Sequence, residues 1–405
     1  MGIQNLLPFV KKSCRQGNIS EFAGHSIAVD VSCLLHRGLF GCASAVAQGV
    51  ETDLLSSANF ICSYVKYVLI SIGCHVILVF DGKPLPAKKD TNDLRREKRD
   101  FNKRKGEQLL SEGKTNEAYD FFKRSVVITA EIVENTIEAL RSFSMVDVLV
   151  APYESDAQLA FLTKTKKAHA VVTEDSDLIA FGCERIIFKL DHKDGSCTVY
   201  EQEKLSTCFQ GALAKEFDFI KFRRICILAG CDYLQSGLPG VGLNKATTFF
   251  SKASGSDLRQ VLPRLPRYLN MKSLKITKEF IEDFIRAENT FLHQIVYDTG
   301  ERRQRPLYDY PNNEEEDEDD VSITTFRLAL GNRTDGTHLT DKFILPDEIP
   351  EWSIWSSNYK SGDERRRLKM EEREAKKQQY GVFSVTRIEF LFHFLDCTEF
   401  QLAVR

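Results

Sequence analysis

The sequence predicts an α/β fold: a mostly parallel central sheet flanked by helices. Three observations carry this expectation. First, Ser26-Ile-Ala-Val-Asp30, Val76-Ile-Leu-Val-Phe80, Val146-Asp-Val-Leu-Val150 and Val171–Thr173 are short apolar runs, as in strands covered on both faces. Second, helical segments alternate with them, the pattern that builds parallel sheets. Third, the runs end at or shortly before carboxylates. Ligands of such sheets bind beyond the carboxyl ends of the strands.

Taken in order, Met1 to Lys12 is a short leading segment with apolar Ile3, Leu6, Leu7, Phe9 and Val10. After the first strand, Ser32 to Val46 reads as a helix with Leu34, Leu35, Leu39 and Phe40 on one side. Leu54 to Ile72 is a second helix, stopped by Gly73. The strand at Val76 to Phe80 leads into Asp81-Gly82, and Pro84 and Pro86 break the chain. Lys88 to Lys105 then holds nine basic residues against four acids. A charged helix is often only a solvated face. The excess of one sign beside clustered carboxylates points instead to phosphate binding. Helix continues, with a break near Gly113, to about Phe143.

Past the third strand, Ala151-Pro-Tyr-Glu-Ser-Asp156 precedes a helix over Ala157 to Thr163. Arg185 to Leu190 is a fifth strand, leading into a turn at His192-Lys-Asp-Gly195. Phe217 to Leu228 and Leu243 to Lys252 are helices joined by Gly230 to Gly242, which contains Gly240-Val-Gly242. Backbone N–H groups at such a helix start can grip phosphate without reading sequence. Thr277 to Phe291 is a further helix, Asp309 to Asp320 an acidic linker, and Val321 to Gly331 a short helix. One or two domains are expected, and the composition changes beyond about Pro350, where a charged, atypical and flexible tail is expected at 351–405. No function is assigned to the apolar ending after Gly381.

The chain has 405 residues, 42% of them hydrophobic, enough for a large core. The net charge of −3 hides an asymmetry, because Glu314 to Asp320 is a run of seven acids. The remainder is net positive, which suits a polyanionic partner. Eleven Cys occur with no CxxC, which predicts reduced thiols in an intracellular protein. The N-terminus lacks a signal-peptide pattern, and Leu6 breaks the myristoylation pattern. No apolar run of about 20 residues is present, so no membrane contact is expected.

The stretch Ala170 to Gly182 anchors the functional reading. Its strand ends in Glu174, Asp175 and Asp177, whose mutual repulsion calls for a cation. Asp30, Asp81, Glu154, Asp156, Asp175, Asp177 and Asp232 all lie at strand ends or just past a helix. Glu174 is set aside, between strand and site. Any one of these acids alone would be a capping or turn residue. Seven oxygen ligands exceed the needs of one Mg²⁺. Two ions about 4 Å apart fit them, an arrangement suited to in-line phosphoryl transfer.

The residues also carry a resemblance. Met1-Gly-Ile-Gln4, Ala28-Val-Asp30, Val79-Phe-Asp-Gly82, Ala151 to Ala160, Thr173-Glu-Asp-Ser-Asp177 and Gly230-Cys-Asp-Tyr233 resemble the structure-specific 5′ nucleases of the flap endonuclease and XPG type. Cys33 to Gly38, Glu112 to Ala118 and Lys123 to Thr129 are most similar to the exonuclease 1 group of that family. The resemblance covers roughly residues 1–350. It implies a PIN-like 5′ nuclease fold with a helical arch and a helix–two-turn–helix DNA-binding element. The implied regions are 1–99 (N-terminal nuclease), 100–145 (arch continuation), 146–232 (internal nuclease), 217–292 (helix–two-turn–helix) and 293–350 (wrap-back).

The implied activity is 5′→3′ exonuclease action on double-stranded DNA with 5′ flap cleavage, in mismatch repair, recombination and end resection. Asp30, Asp81, Glu154 and Asp156 would hold one Mg²⁺ and Asp175, Asp177 and Asp232 the other, with Mn²⁺ as a substitute. Lys88 and Arg95 match the catalytic basic pair. Gly2, His36, Lys98, Arg99, Gly240, Gly242 and Lys245 fall at DNA-contacting positions, and a K⁺ ion is implied at the hairpin. Implied partners are DNA with 5′ ends, nicks, gaps or flaps and mismatch-repair proteins; the implied setting is a nuclear monomer. Asn5, Lys98 and Ala229 depart from the family pattern, and the hairpin after Asp232 is one residue longer. The alternatives are a dedicated flap or junction endonuclease and a catalytically silent DNA-end binder.

Overall fold

The computed structural model describes residues 2–39, 55–234, 237–310, 322–332 and 342–376. Its main strands are β1 (Cys14–Asn18), β2 (Ser26–Asp30), β3 (His75–Phe80), β4 (Val146–Val150), β5 (Ala170–Val172), β6 (Arg185–Phe188) and β7 (Ser196–Glu201). They form one sheet in the order β1-β7-β6-β5-β2-β3-β4. Strands β6, β5, β2, β3 and β4 are parallel, and β7 and β1 close one edge antiparallel. The chain steps from β2 to β3 and β4, then returns past β2 to β5. The connections therefore change direction between β2 and β5, where a crevice at the carboxyl edge suits a ligand.

The four runs that precede acids are neighbours, in the order β5-β2-β3-β4. Asp30 pairs in register with Val79, and Phe80 with Val150, so these strands end at one level. Alternate side chains point to opposite faces, and both faces are covered. Ile27, Val29, Val76, Leu78 and Phe80 enter one core; Ala28, Ile77, Val79 and Leu149 enter the other. That double burial explains why the runs read as continuously apolar.

The helices used below are α1 (Val31–Leu39), α2 (Leu55–Tyr64), α3 (Lys89–Ser111), α4 (Thr115–Ser125), α5 (Ala130–Leu140), α6 (Ser155–Lys164), α7 (Asp177–Phe181), α8 (Phe219–Ala229), α9 (Leu243–Lys252), α10 (Lys278–His293) and α11 (Ser322–Ala329). Helices α1, α2 and α5 cover the first face, and α6 to α10 the second. After α2 the chain continues through a π turn (Val65–Leu69) and a 3₁₀ turn (Ile70–Ile72). Gly73 ends it with φ 78°, a left-handed conformation that glycine adopts without steric cost.

Helix α3 has 23 residues, of which only Gly106 and Leu109 are buried. It packs on α4 through a small separate cluster of Leu109, Ala118 and Phe122. A Cβ at position 106 would lie 2.7 Å from the Phe122 ring, so the close crossing needs glycine. The break at Gly113 is present, with φ 76°. A second break, over residues 126–129, separates α4 from α5. Thr129 caps α5 there, accepting a bond from Ile132 N at 3.3 Å.

The structure corrects three expectations. Strands β1 and β7 had not been anticipated; Cys-Arg-Gln-Gly-Asn lacks apolar alternation and is a strand because β7 pairs with it. A hairpin of β8 (Ile295–Asp298) and β9 (Arg303–Pro306) was also missed. Third, the tail expected to be flexible from 351 is in part integral to the domain. Ser353 Oγ and Ile354 N both donate to Asp147 at 2.7 Å, Tyr359 Oη donates to Lys167 O at 2.6 Å, and Gly362 N donates to Ser26 Oγ at 2.8 Å. Ile354 and Trp355 are buried. Residues 362–376 follow as a helix. The end of the first expected helix (40–46), most of the acidic linker (311–320) and the apolar ending lie outside the described residues. Nine cysteines are described, all free thiols.

Candidate metal centre and nucleic-acid face

Each of the seven carboxylates owes its place to a chain boundary. Asp30 is the last residue of β2, and Asp81 follows β3. Glu154 is the N-cap of α6 and Asp156 lies in its first turn, where a helix end favours negative charge. Asp175 follows β5, Asp177 opens α7, and Asp232 lies just past α8.

Donors hold most of these carboxylates in place. Thr173 Oγ1 and Cys33 Sγ donate to Asp30 Oδ2 at 2.8 and 2.9 Å. Ser155 N and Ser32 Oγ take one Asp81 oxygen each, at 2.8 and 2.5 Å. Tyr233 Oη donates to Glu154 Oε2 at 2.6 Å. Asp175 Oδ1 accepts from Asp177 N at 3.0 Å, and Asp177 Oδ1 accepts from Ile3 N at 2.7 Å. Ser32, Cys33, Thr173 and Tyr233 had no assigned role in the sequence reading. Their signal was only that they stand inside or beside the acidic motifs.

Electrostatics tie the set together. Burial pushes Asp30 up to about 6, and repulsion from Asp81 and Asp175 adds to it. Burial pushes Asp177 up to about 8, reinforced by Asp175 and Asp232. Asp156 is pushed well up by burial, then by Asp175, Glu154 and Asp30. Three of the seven are thus raised by their neighbours in the set. Desolvated carboxylates repelling one another are a donor set in want of cations, and hard oxygen ligands suit Mg²⁺.

Two protein cations border the set. Lys88 is a buried lysine, with Nζ 2.6 Å from Glu154 Oε1 and 2.9 Å from Asp232 Oδ2. Burial disfavours its charge, but Glu154, Asp156 and Asp232 outweigh burial and raise its pKa. Arg95 Nη2 reaches Asp232 Oδ2 at 2.6 Å. Burial works against the Asp232 carboxylate, yet Lys88 and Arg95 hold it below its ordinary range. Thr91 Oγ1 donates to Asp232 O at 2.9 Å, which fastens the base of α3 to the site.

The N-terminus enters the same cluster. A Cβ on Gly2, whose φ is +88°, would lie 2.3 Å from Asp175 Oδ1 and 2.5 Å from Ser176 Oγ. Asn5 takes a left-handed conformation (φ 61°), which Asn tolerates where most residues do not. His36 on α1 is pushed down by burial and by Arg99, against an opposing pull from Asp81. A cavity of about 540 Å³ opens beside Asp81, lined by Ser32, Leu35, Phe80, Ile128 and Val133 among others.

Lys98 is exposed on α3. The hairpin stands apart: no described contact joins Gly240, Gly242 or Lys245 to the carboxylates. Gly240 has φ +73°, and Gly242 is the N-cap of α9 without a side-chain cap. Lys245 Nζ rests 3.6 Å from Met271 Sδ. Glu174 faces away from the set, accepting from Lys189 N at 3.1 Å and lying 4.0 Å from Arg37.

This mostly parallel seven-stranded sheet flanked by helices is the fold of the 5′-nuclease cores. The solved catalytic core of Rad2 in complex with DNA substrate superposes with a TM-score of 0.51 at 16% identity, over 73% of this chain and 86% of that one. The family models for the XPG N-terminal domain and the XPG I-region match residues 1–102 and 145–232. The chain carries the N-terminal domain and the I-region of the XPG family. Its similarity extends to exonuclease 1: 41% identity to the Danio rerio protein over 392 residues, covering 89% of this chain and 47% of that protein. For exonuclease 1 of Xenopus laevis the values are 42% over 362 residues, 87% and 48%. The chain thus spans about half the length of these relatives.

Proposed function

We propose that the chain is a Mg²⁺-dependent 5′→3′ exonuclease on double-stranded DNA with 5′ flap endonuclease activity. The observation that carries this reading is the convergence of Lys88 and Arg95 on Asp232 at the edge of the carboxylate set. Asp30, Asp81, Glu154 and Asp156 would hold one ion and Asp175, Asp177 and Asp232 a second. Bound there, the ions would supply an activated water and neutralise charge on the scissile phosphate. Mn²⁺ is the natural substitute, being another cation that suits carboxylate and water ligands.

The protein's own groups do the rest. Lys88 and Arg95 would stabilise the negative charge that develops on the scissile phosphate. Cys33, Thr173, Ser32, Ser155 and Tyr233 fix carboxylate orientation ahead of binding. Gly2, whose lack of a Cβ lets the leading segment lie against Asp175, would contact DNA beside the site, and His36 with Arg99 would border its entrance. Lys98 and Arg99 would hold phosphates from the arch. The open N–H groups after Gly242, with Gly240 and Lys245, would grip the duplex, and a K⁺ ion bound by hairpin carbonyls would brace that contact. The partners in this reading are DNA with 5′ ends, nicks, gaps or flaps and mismatch-repair proteins, and the setting is the nucleus.

A 5′-recessed duplex and a matched 5′ flap, incubated with Mg²⁺, test the reading. Stepwise mononucleotide release from the recessed end is expected, and Asp175→Ala abolishes it. Equal cleavage by wild type and variant sinks the metal assignment. Cleavage of the flap alone would favour a dedicated flap endonuclease.

A further inference from the structure

A second cluster of ligating groups lies at the opposite end of the sheet. His25 immediately precedes β2, and His169 immediately precedes β5, so both stand at the amino edge. A strand of five residues separates that edge from the catalytic carboxylates, about 16 Å. The third member, Asp363, comes from the C-terminal segment. The coordinating atoms of the three lie within 4.8 Å of one another. The imidazole rings face each other at 4.0 Å between centroids. Their Nδ1 atoms each address one Asp363 oxygen, His169 at 2.7 Å from Oδ2 and His25 in contact with Oδ1.

Backbone contacts pin all three. His75 N donates to His25 O at 3.0 Å, and His169 N donates to Ser26 O at 2.7 Å, extending the sheet's ladder to both histidines. Gly362 lies directly against the first of them: a Cβ there would come 2.4 Å from His25 C and Ser26 N. Only glycine permits that approach, and it delivers Asp363 to the two rings. The donors are therefore preorganised rather than gathered from mobile surface chains.

We propose that His25, His169 and Asp363 bind a first-row divalent cation of the Zn²⁺ class, which fastens the C-terminal segment across the amino edge of the sheet. Two imidazole nitrogens and one carboxylate oxygen are a set that Zn²⁺ takes, with water at the fourth position. The half-exposed side of Asp363 gives that water access. Mg²⁺ prefers oxygen ligands, so the two ends of the sheet are sorted by chemistry. In the ion's absence the same groups form a hydrogen-bonded clasp, each Nδ1–H donating to Asp363. One neighbour competes. Arg185 Nη1 donates to His169 Nε2 at 2.5 Å. A cation on Nδ1 places the ring proton on Nε2, so Arg185 must turn toward solvent.

The test uses the full chain, stripped of metal and then held in excess Mg²⁺ to fill the carboxylate sites. Zn²⁺ is titrated by calorimetry, and Co²⁺ by its visible absorption. Wild type is expected to bind one equivalent and to gain thermal stability. The variant His25→Gln/His169→Gln is expected to lose both effects while keeping Mg²⁺-dependent cleavage. Arg185→Gln, which keeps all three ligands, is expected to bind about tenfold more tightly, the lower end of what outer-shell groups contribute. No Zn²⁺ equivalent in wild type, the same stoichiometry in the double variant, or no tightening in Arg185→Gln would each overturn the site; the first leaves the clasp alone in place.

Discussion

Arg95 Nη2 and Asp232 Oδ2 meet at 2.6 Å across 137 positions of sequence. The contact joins the basic arch to the carboxylate set before any substrate arrives. Lys88 shares the same oxygen at 2.9 Å. The two cations are thus held as a pair by one acid.

Lys88→Met and Arg95→Ala are each expected to lower single-turnover cleavage by about 10²–10³-fold, the effect of removing one preorganised charge stabiliser. Because both lean on Asp232, the double variant should lose less than the product of the single losses. Rapid-quench kinetics on a 5′-recessed duplex measure all three. Full additivity would show that the two cations act independently.

Gly2→Ala places a methyl group against Asp175 and Ser176 in a left-handed backbone conformation. The expected result is a drop in cleavage of at least about tenfold, the effect of misplacing a reacting group slightly. The unfolding midpoint should hold, since the leading segment is anchored separately by buried Ile3, Leu6 and Val10. Wild-type turnover in this variant would remove Gly2 from the site.

A chain ended at residue 350 removes Ser353 Oγ, the donor to Asp147 Oδ1, and Ile354 N, and leaves the buried Asp147 carboxylate only His75 Nε2, 2.9 Å from Oδ2, among these partners. An orphaned buried polar group costs about 1–3 kcal/mol. With Trp355 and Ile354 also lost, the melting temperature should fall by about 5–10 °C relative to a chain ended at 376. Scanning calorimetry of the two chains measures it; equal midpoints would return residues 351–363 to the status of a tail.

Acid stability has a specific source in Asp298. Burial acts to raise its pKa, but Lys167 Nζ at 2.9 Å and the amides of Gly300 and Glu301 outweigh burial and hold it low. A carboxyl depressed in the folded state contributes stability above its unfolded value of about 4. That contribution is lost as pH falls through the folded value, because the unfolded chain then binds the proton first. Asp298→Asn should therefore be less stable than wild type at neutral pH, and the gap should narrow below about pH 4. Denaturant midpoints across pH 2–7 check it.

Much of the site was legible in the sequence. Asp30, Asp81 and Asp175 stand out because an apolar strand that ends in an acid leaves a local signature. The repetition of that signature, rather than any one acid, pointed to a metal. Lys88 and Arg95 could be marked only through family resemblance, since basic residues on a charged helix look alike. Tyr233 and Thr173 were invisible as positioning groups. A hydroxyl that donates to a carboxylate 79 or 143 residues away leaves no local pattern.

The sequence by itself determined the elements of the parallel sheet, the charge of the arch and the identity of the seven acids. These follow from short-range rules: periodicity, strand burial on both faces, and glycine or proline at breaks. Only the tertiary structure decided which elements became neighbours. It paired β1 with β7, drew Gly2 against Asp175, and set Asp363 beside His25 and His169, 338 and 194 positions away. Those relationships depend on contacts between distant segments, whose partners are chosen by packing and by the pairing of buried polar groups.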